Sequence, residues 1–322
     1  DFCLSRGLGD VYKRQALPRD PRRHGGGSVT TLLLCNALLR DLGQMAIVQH
    51  TQRNVLHAGD MTVVRLDPAA SPADLAAMVA NIPSSVEQVV LSGAFLSRHA
   101  LEQSLAFAAA SVAAGARFAV HNLSLEGEAG ATLRPYAADV LDVATALEVR
   151  DHRTATQMTH WGLAQQPRIL GYPERHIDPD EALLAGLPSG PLLGVALRGG
   201  DEMEACWRPR FDDIAVKLGP AADWPILPLH TCLPGIGEDD FGGTLALARA
   251  LKPGAPLLLP ELGDRQIWSR RISPARLKAL VGRCALVVTN RDLPAAYAVA
   301  SGVPVLGLAV GMDRRILTCF AT

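Results

Sequence analysis

Residues 273–315 read SPARLKALVGRCALVVTNRDLPAAYAVASGVPVLGLAVGMDRR. Ser273-Pro274 predicts a helix start, because the hydroxyl caps free N–H groups and proline suits the first turn. Leu277, Leu280 and Val281 follow at helical spacing. Ala285 to Val288 is an apolar run without alternation, the pattern of a strand buried on both faces. Asn290-Arg291-Asp292 interrupts it, Pro294 to Ala300 reads as a second helix closed by Gly302, and Val303 to Leu308 as the next buried strand. Strand, helix, strand is a βαβ unit, which implies a parallel sheet with a right-handed crossover. Ligands bind beyond the carboxyl ends of such strands. Asn290 and Arg291 therefore fall at one rim position and Gly311 to Arg315 at the next.

The same alternation extends outward. Leu192 to Leu197 predicts a strand ending at Arg198, Glu204 to Leu218 a helix, and Trp224 to His230 a strand. An acidic loop, Glu238-Asp239-Asp240, reads as solvated ahead of a helix over 241–251. Pro256 to Leu259 reads as a strand. In the first half, Gly25-Gly26-Gly27-Ser28 opens a helix over 29–42, and Met45 to His50 and Met61 to Leu66 read as strands. Ser71-Pro72 starts a helix to about residue 80. Glu87 to Ser92 and Ala116 to Val120 are buried strands around an Ala-rich helix over 100–114. A helix over 137–146, the strand Leu147 to Val149 and a helix over 153–161 complete the half. Asp151 is placed to cap that last helix. Pro188-Ser189-Gly190-Pro191 marks the join between two halves. The expected fold is α/β, two Rossmann-like domains with parallel sheets facing across a cleft in the GT-B manner. The divisions are a tail over 1–24, a first domain over 25–187 and a second over 188–322. Asp1 to Gln15 has neither helical nor strand period and reads as foreign to the fold. With 29–42 taken as a helix, the usual first strand is missing. We therefore expect chain to have been lost at the N-terminus, and closing helices beyond Thr322.

Composition narrows the function. The 322 residues are 48% hydrophobic and 20% charged with a formal net charge of −1, which describes a globular protein. This balance lacks the clustered positive charge that nucleic acid requires. The six cysteines stand singly with no C-x-x-C pair, so they read as core residues of a reducing compartment. The nine histidines show no metal-ligand spacing. No apolar run reaches the roughly twenty residues of a membrane span, and no signal pattern opens the chain. Cytoplasm is the expected compartment, with homo-oligomerisation left open.

Three stretches together resemble the polysaccharide pyruvyl transferase family. The opening stretch matches that family's P-x-x-L helix, apolar strand, Arg, small-residue helix and G-V-P strand, with Arg291 eleven residues before Gly302-Val303-Pro304. Arg150-Asp151 followed by a helix and Gly162 is similar to its strand, R-D, helix and Gly. Arg198 stands where its strand also ends in Arg. In this register Asp292 and Leu293 occupy the Leu and His positions of the family's R-L-H, and the family's later Tyr-Asp-x-Lys is absent. The resemblance implies transfer of pyruvate from phosphoenolpyruvate to a sugar as a ketal, with a carbohydrate acceptor and no bound cofactor or metal. It assigns Arg291 to catalysis, and His230, at a neighbouring strand end, is the candidate to substitute for the motif histidine that Leu293 replaces. Arg198, Asn290 and the Gly26-Gly27-Ser28 turn are assigned to substrate binding.

The residues read by themselves leave alternatives. Arginine binds carboxylate and phosphate in bidentate fashion, which suits any anionic donor. A GT-B-type glycosyltransferase using a nucleotide sugar, or a catalytically degenerate sugar-binding relative, fits the same pattern. Leu293 moves no proton, so catalysis would need another acid or base.

Overall fold

The computed structural model describes residues 30–35, 42–54, 61–66, 71–82, 86–95, 97–126, 133, 135–199, 205, 207–232, 240–254 and 256–308. Two parallel sheets organise them. The first runs β1 (Thr30–Cys35), α1 (Leu42–Asn54), β2 (Met61–Arg65), α2 (Pro72–Ala80), β3 (Val86–Phe95), α3 (Arg98–Ala113), β4 (Arg117–Leu125), α4 (Pro135–Asp142), β5 (Leu147–Val149), α5 (His152–His160) and β6 (Arg168–Ile169). Its strands lie in the order β2-β1-β3-β4-β5-β6. The second runs β7 (Leu193–Ala196), α6 (Phe211–Leu218), β8 (Ile226–Pro228), α7 (Asp240–Leu251), α8 (Arg265–Arg271), α9 (Pro274–Arg283), β9 (Leu286–Thr289), α10 (Asp292–Ala300) and β10 (Val305–Gly307), in the order β10-β9-β7-β8. The expected α/β architecture of two Rossmann-like halves is what the chain forms.

The second half follows its sequence signals closely. Ser273 Oγ accepts from Arg276 N at 3.2 Å and Pro274 occupies the first turn of α9. Strand β9 pairs with β10 and β7, both parallel. Residues alternate across the second sheet. Leu193, Val195 and Val288 join one apolar cluster with Trp207, Ile214 and Leu247, while Leu192, Ala196 and Val287 join another with α9 and α10. That two-sided burial is why these strands read as unbroken apolar runs.

The start of the chain corrects the sequence reading. Thr30 to Cys35, expected inside a helix, is strand β1, paired between β2 and β3. Leu32 and Leu34 enter the core on one face and Leu33 and Cys35 the core on the other. A short apolar run of this kind has no period that separates strand from buried helix. The strand thought missing is this one. Met45 to His50, expected as a strand, lies in helix α1. The helix is covered on two sides: Val48 packs on the first sheet, whereas Leu42 and Ala46 join the core of the second domain. A helix apolar on both flanks hides its 3.6-residue period.

Three smaller differences have local causes. Residues 256–259 form no strand, although Leu258 N donates to Ile226 O at 2.9 Å. Leu259 is left-handed, with φ 47°, and the prolines at 256 and 260 remove donors on either side. The expected helix over 204–218 is interrupted: residues 205 and 207 are α-helical, a 3₁₀ turn at Arg208–Arg210 that contains Pro209 follows, and the helix resumes over Phe211–Leu218. Helix α8, capped by Asp264 through Gln266 N and Ile267 N, was not read at all.

The join between halves is strapped to the second domain. Ile177 and Leu183 are buried in its core. Asp180 Oδ2 accepts from Arg276 Nε at 2.9 Å, and its carboxyl is held below the usual range by the Ala182 N–H and by Arg276. Arg283 binds the carbonyls of Pro188 and Gly190. Cys35, Cys232 and Cys284 are buried, and burial pushes the Cys284 thiol up to about 12. The other three cysteines lie outside the described residues. No described helix is long and apolar enough to cross a membrane.

Helix α5 provides a test of local against functional roles. Asp151 Oδ1 accepts from Thr154 N at 2.7 Å, and its other oxygen accepts from Ser124 Oγ at 3.3 Å. Asp151 is therefore a cap. Asp151→Ala is expected to lower stability by about 1 kcal/mol in urea melts, with Asp151→Asn retaining most of it. Loss of ligand binding at unchanged stability would give Asp151 a role in the site instead.

Candidate functional site

Strands β7, β8 and β9 run parallel, so their carboxyl ends share one edge. Arg198, His230, Asn290 and Arg291 all follow these ends, as the spacing predicted. Local hydrogen bonds tie the edge together. Asn290 Oδ1 accepts from Arg198 N at 2.8 Å, Thr289 Oγ1 donates to Ala196 O at 2.8 Å, and Arg291 N donates to Thr289 Oγ1 at 2.8 Å. Arg198 is half-buried on this rim.

Arg291 behaves differently from the expectation. Its side chain is 5% exposed and both Nε, at 2.6 Å, and Nη2 donate to Asp240 Oδ1. Asp240 is wholly buried. Its second oxygen accepts from Thr231 N at 2.7 Å, Thr231 Oγ1 at 2.6 Å and Cys232 N at 3.1 Å. The solvated reading of this acidic loop is corrected at Asp240; Glu238 and Asp239 lie outside the described residues. A guanidinium already neutralised by a buried carboxylate does not offer its charge to a phosphate. His230 is also at the predicted strand end, but it is 2% exposed, with its ring edge-on to Phe241 at 5.3 Å between centroids.

Two contacts bring the first sheet's carboxyl ends to this edge. Arg150, just past β5 and 3% exposed, pairs with Asp292 at 3.3 Å and lies 4.4 Å over the ring of Tyr172. Leu42 N, at the start of α1, donates to Thr231 O at 3.1 Å. The two halves thus meet with their strand ends facing. Asp292 also accepts from Leu293 N at 2.9 Å. Its carboxylate occupies the start of α10, where the exposed N–H groups would otherwise attract an anion. Reading Asp292 only as the residue in the family's Leu position missed this pairing.

Glu126 was also missed. It follows β4, is 9% exposed, and its backbone N–H donates to Phe95 O at 2.8 Å. The strand was expected to end in His121-Asn122, but Asn122, with φ 53°, only shifts the register, and pairing resumes from Leu123 to Leu125. Periodicity alone does not register such a bulge. Away from the rim, His121 pairs with Glu148, which Arg168 also binds, and His50 stacks on His121 at 5.8 Å. The Gly26-Gly27-Ser28 turn and Gly311 to Arg315 lie outside the described residues. Among the described residues, no group of three or more His, Cys, Asp or Glu side chains is arranged to hold a metal ion.

No protein-family model matches the chain, and no curated protein matches it. Solved structures do. A putative UDP-N-acetylglucosamine 2-epimerase from Listeria monocytogenes superposes with a TM-score of 0.50 at 13% identity, covering 88% of this chain and 80% of that one. A complex of S. aureus MnaA with UDP gives 0.50 at 10% identity over 89% and 80%. A further UDP-N-acetylglucosamine 2-epimerase structure gives 0.50 at 10% identity over 88% and 80%. At such identities the likeness is one of architecture, and it agrees with the sheets and contacts above: the chain has the GT-B-like fold of two Rossmann-like domains with facing parallel sheets.

Proposed function

We propose that the protein binds a nucleotide-linked sugar in the cleft between its two sheets and acts on it. The observation that supports this most is the edge itself. Parallel strand ends from both halves face each other across Arg150–Asp292 and Leu42–Thr231, with Arg198 on the rim. Open α/β sheets bind ligands at such edges. The fold's likeness to a structure holding UDP points in the same direction. Arg198 is the cation this reading assigns to the diphosphate, and Glu126 the buried carboxylate it assigns to proton transfer.

Pyruvate transfer is the second reading, favoured by the Arg198, Arg291 and Arg150-Asp151 positions. Phosphoenolpyruvate is small and carries two anionic groups, and it draws nearly all its affinity from cations. With Arg291 committed to Asp240, that donor loses one of the two guanidiniums it was given. A nucleotide sugar has a base, ribose and sugar to bind as well, and depends less on a second cation.

Thermal melts separate the two. A ligand at a hundredfold excess over Kd stabilises by about 2.7 kcal/mol, which for a chain of this size raises Tm by roughly 5 °C. UDP or a UDP-sugar is expected to produce that shift, phosphoenolpyruvate is not, and Arg198→Ala is expected to abolish most of it. A shift with phosphoenolpyruvate alone, together with phosphate release in the presence of a sugar acceptor, would establish pyruvate transfer instead.

A further inference from the structure

We infer that Asn122 is a positioning residue for the chemistry of the cleft: as one extra residue in β4, it sets the face of the sheet on which Glu126 emerges. The inference rests on the nucleotide-sugar reading above and adds to it how the strand delivers the carboxylate. Strand β3 runs past β4 in regular steps, with Ser92 opposite His121 and Gly93 opposite Leu123. Asn122 is therefore the residue that β4 has in excess, a β-bulge. It is wholly buried, and its φ of 53° lies in the left-handed region, which asparagine tolerates and β-branched residues do not.

The faces on either side of the bulge differ in what they carry. Phe118 and Val120 lie in the apolar cluster with Leu101 of α3 and Leu141 of α4, and so do Leu123 and Leu125. On the other face Ala119 packs with Val48 of α1, and His121 stacks on His50 of the same helix. Side chains alternate along a strand, so Val120 and Leu123 share a face only because one residue is inserted between them. Ser124 and Glu126 are thereby carried to the face of α1. Ser124 stands opposite Ala94, whose carbonyl accepts from Gln44 Nε2 of α1 at 3.3 Å. From this face α1 reaches the second domain, through Leu42 N and Thr231 O. Without the inserted residue the pleat inverts. Leu123 and Leu125 would then turn toward α1, and Glu126 would point into the cluster around Phe95 and Leu101, where a carboxylate is unfavourable. The far end of the strand is held in the bulged register, since Leu125 N donates to Thr154 Oγ1 at 3.1 Å and Glu126 N to Phe95 O at 2.8 Å.

Kinetics with and without the carboxylate test this. The probes are UDP-N-acetylglucosamine and UDP-glucose, and turnover is read by chromatography as loss of the nucleotide sugar. Glu126→Gln is expected to lower kcat by about 10²–10⁴-fold, the range for a general acid or base. Asn122→Val, which the left-handed backbone disfavours, is expected to lower kcat by about 10²-fold through a displacement of about 1 Å, with KM and the melting shift given by UDP unchanged. Asn122→Gly, free to keep φ positive, is expected to restore turnover. In the Glu126→Gln background Asn122→Val is expected to lower kcat no further, because it acts through that carboxylate. If Asn122→Val does not fold, Asn122→Ala carries the same comparison with less strain. A further loss of turnover in the double variant, a matched fall in UDP binding, or equal kcat of Asn122→Val and wild type would make the bulge structural only and overturn the inference. A wild type that UDP does not stabilise would instead overturn the reading of the cleft, and the inference with it. One that binds UDP but consumes neither nucleotide sugar would leave the cleft a binding site, take proton transfer from Glu126 and overturn the role of Asn122.

Discussion

Asp240→Ala is expected to destabilise the protein by about 3–5 kcal/mol, because removing one partner of a buried ion pair leaves the other charge without compensation. The carboxylate takes hydrogen bonds from Arg291 Nε and Nη2, Thr231 N and Oγ1, and Cys232 N. With total stability on the order of 5–15 kcal/mol, the loss is a large fraction of what holds the chain folded. Urea or thermal melts read it directly. Arg291→Met is expected to be similarly harmful alone, and the double variant Asp240→Ala/Arg291→Met to be less harmful than the two losses added, because no charge is then left buried. This cycle also decides what Arg291 is for. Strict additivity, or an Arg291→Met protein of normal stability that no longer binds ligand, would make Arg291 a substrate group and return the pyruvyl transfer reading to first place.

The second large effect is at Gly243. A Cβ there would lie 2.5 Å from Leu197 O and 2.7 Å from Arg198 C and O. These are backbone atoms at the end of β7 and have no rotamer through which to yield. Helix α7 is already drawn in at this point, with Leu197 N donating to Thr244 Oγ1 at 3.3 Å. Gly243→Ala gains up to about 1 kcal/mol of helix propensity, but overpacking costs about 1–3 kcal/mol, and contact this short puts the strain at the upper end. The variant is expected to melt earlier and to bind cleft ligands more weakly, since the displaced helix carries Asp240 and abuts Arg198. Gly282→Ala, in α9, is the control. Its Cβ would meet only Ser301, at 3.6 Å and beyond, so propensity acts alone and the melt should move slightly upward. Equal behaviour of the two alanines would mean that α7 tolerates displacement.

Legibility differed between the halves for reasons visible in particular residues. The second half announced itself because each buried strand is bounded by strong local punctuation: Ser273-Pro274 ahead of α9, Asn290 after β9, Gly302-Val303-Pro304 ahead of β10. The first half exchanged a strand for a helix because Leu32-Leu33-Leu34 and Met45-Ala46-Ile47-Val48 are both short apolar runs. What separates them is packing: β1 is central in a sheet, and α1 is wedged between that sheet and the neighbouring domain. The candidate site divided in the same way. The strand ends predicted positions for Arg198, His230, Asn290 and Arg291, and all four are found there. The partner of Arg291 stands 51 residues earlier in the chain, and that of Asp292 stands 142 residues earlier. No local pattern connects groups so far apart.

Local chemistry, then, was enough to specify parallel α/β halves, the helices that Ser71, Asp151 and Ser273 cap, and the rim on which the cations stand. Those features arise from short-range sterics, capping and hydrophobic period, all of which act within a few residues. Which partner Arg291 and Arg150 take was decided by the tertiary structure, since burial and the opposite charges that meet them come from distant parts of the chain. Asp240 reaching Arg291, and Asp292 reaching Arg150, are events of that second kind.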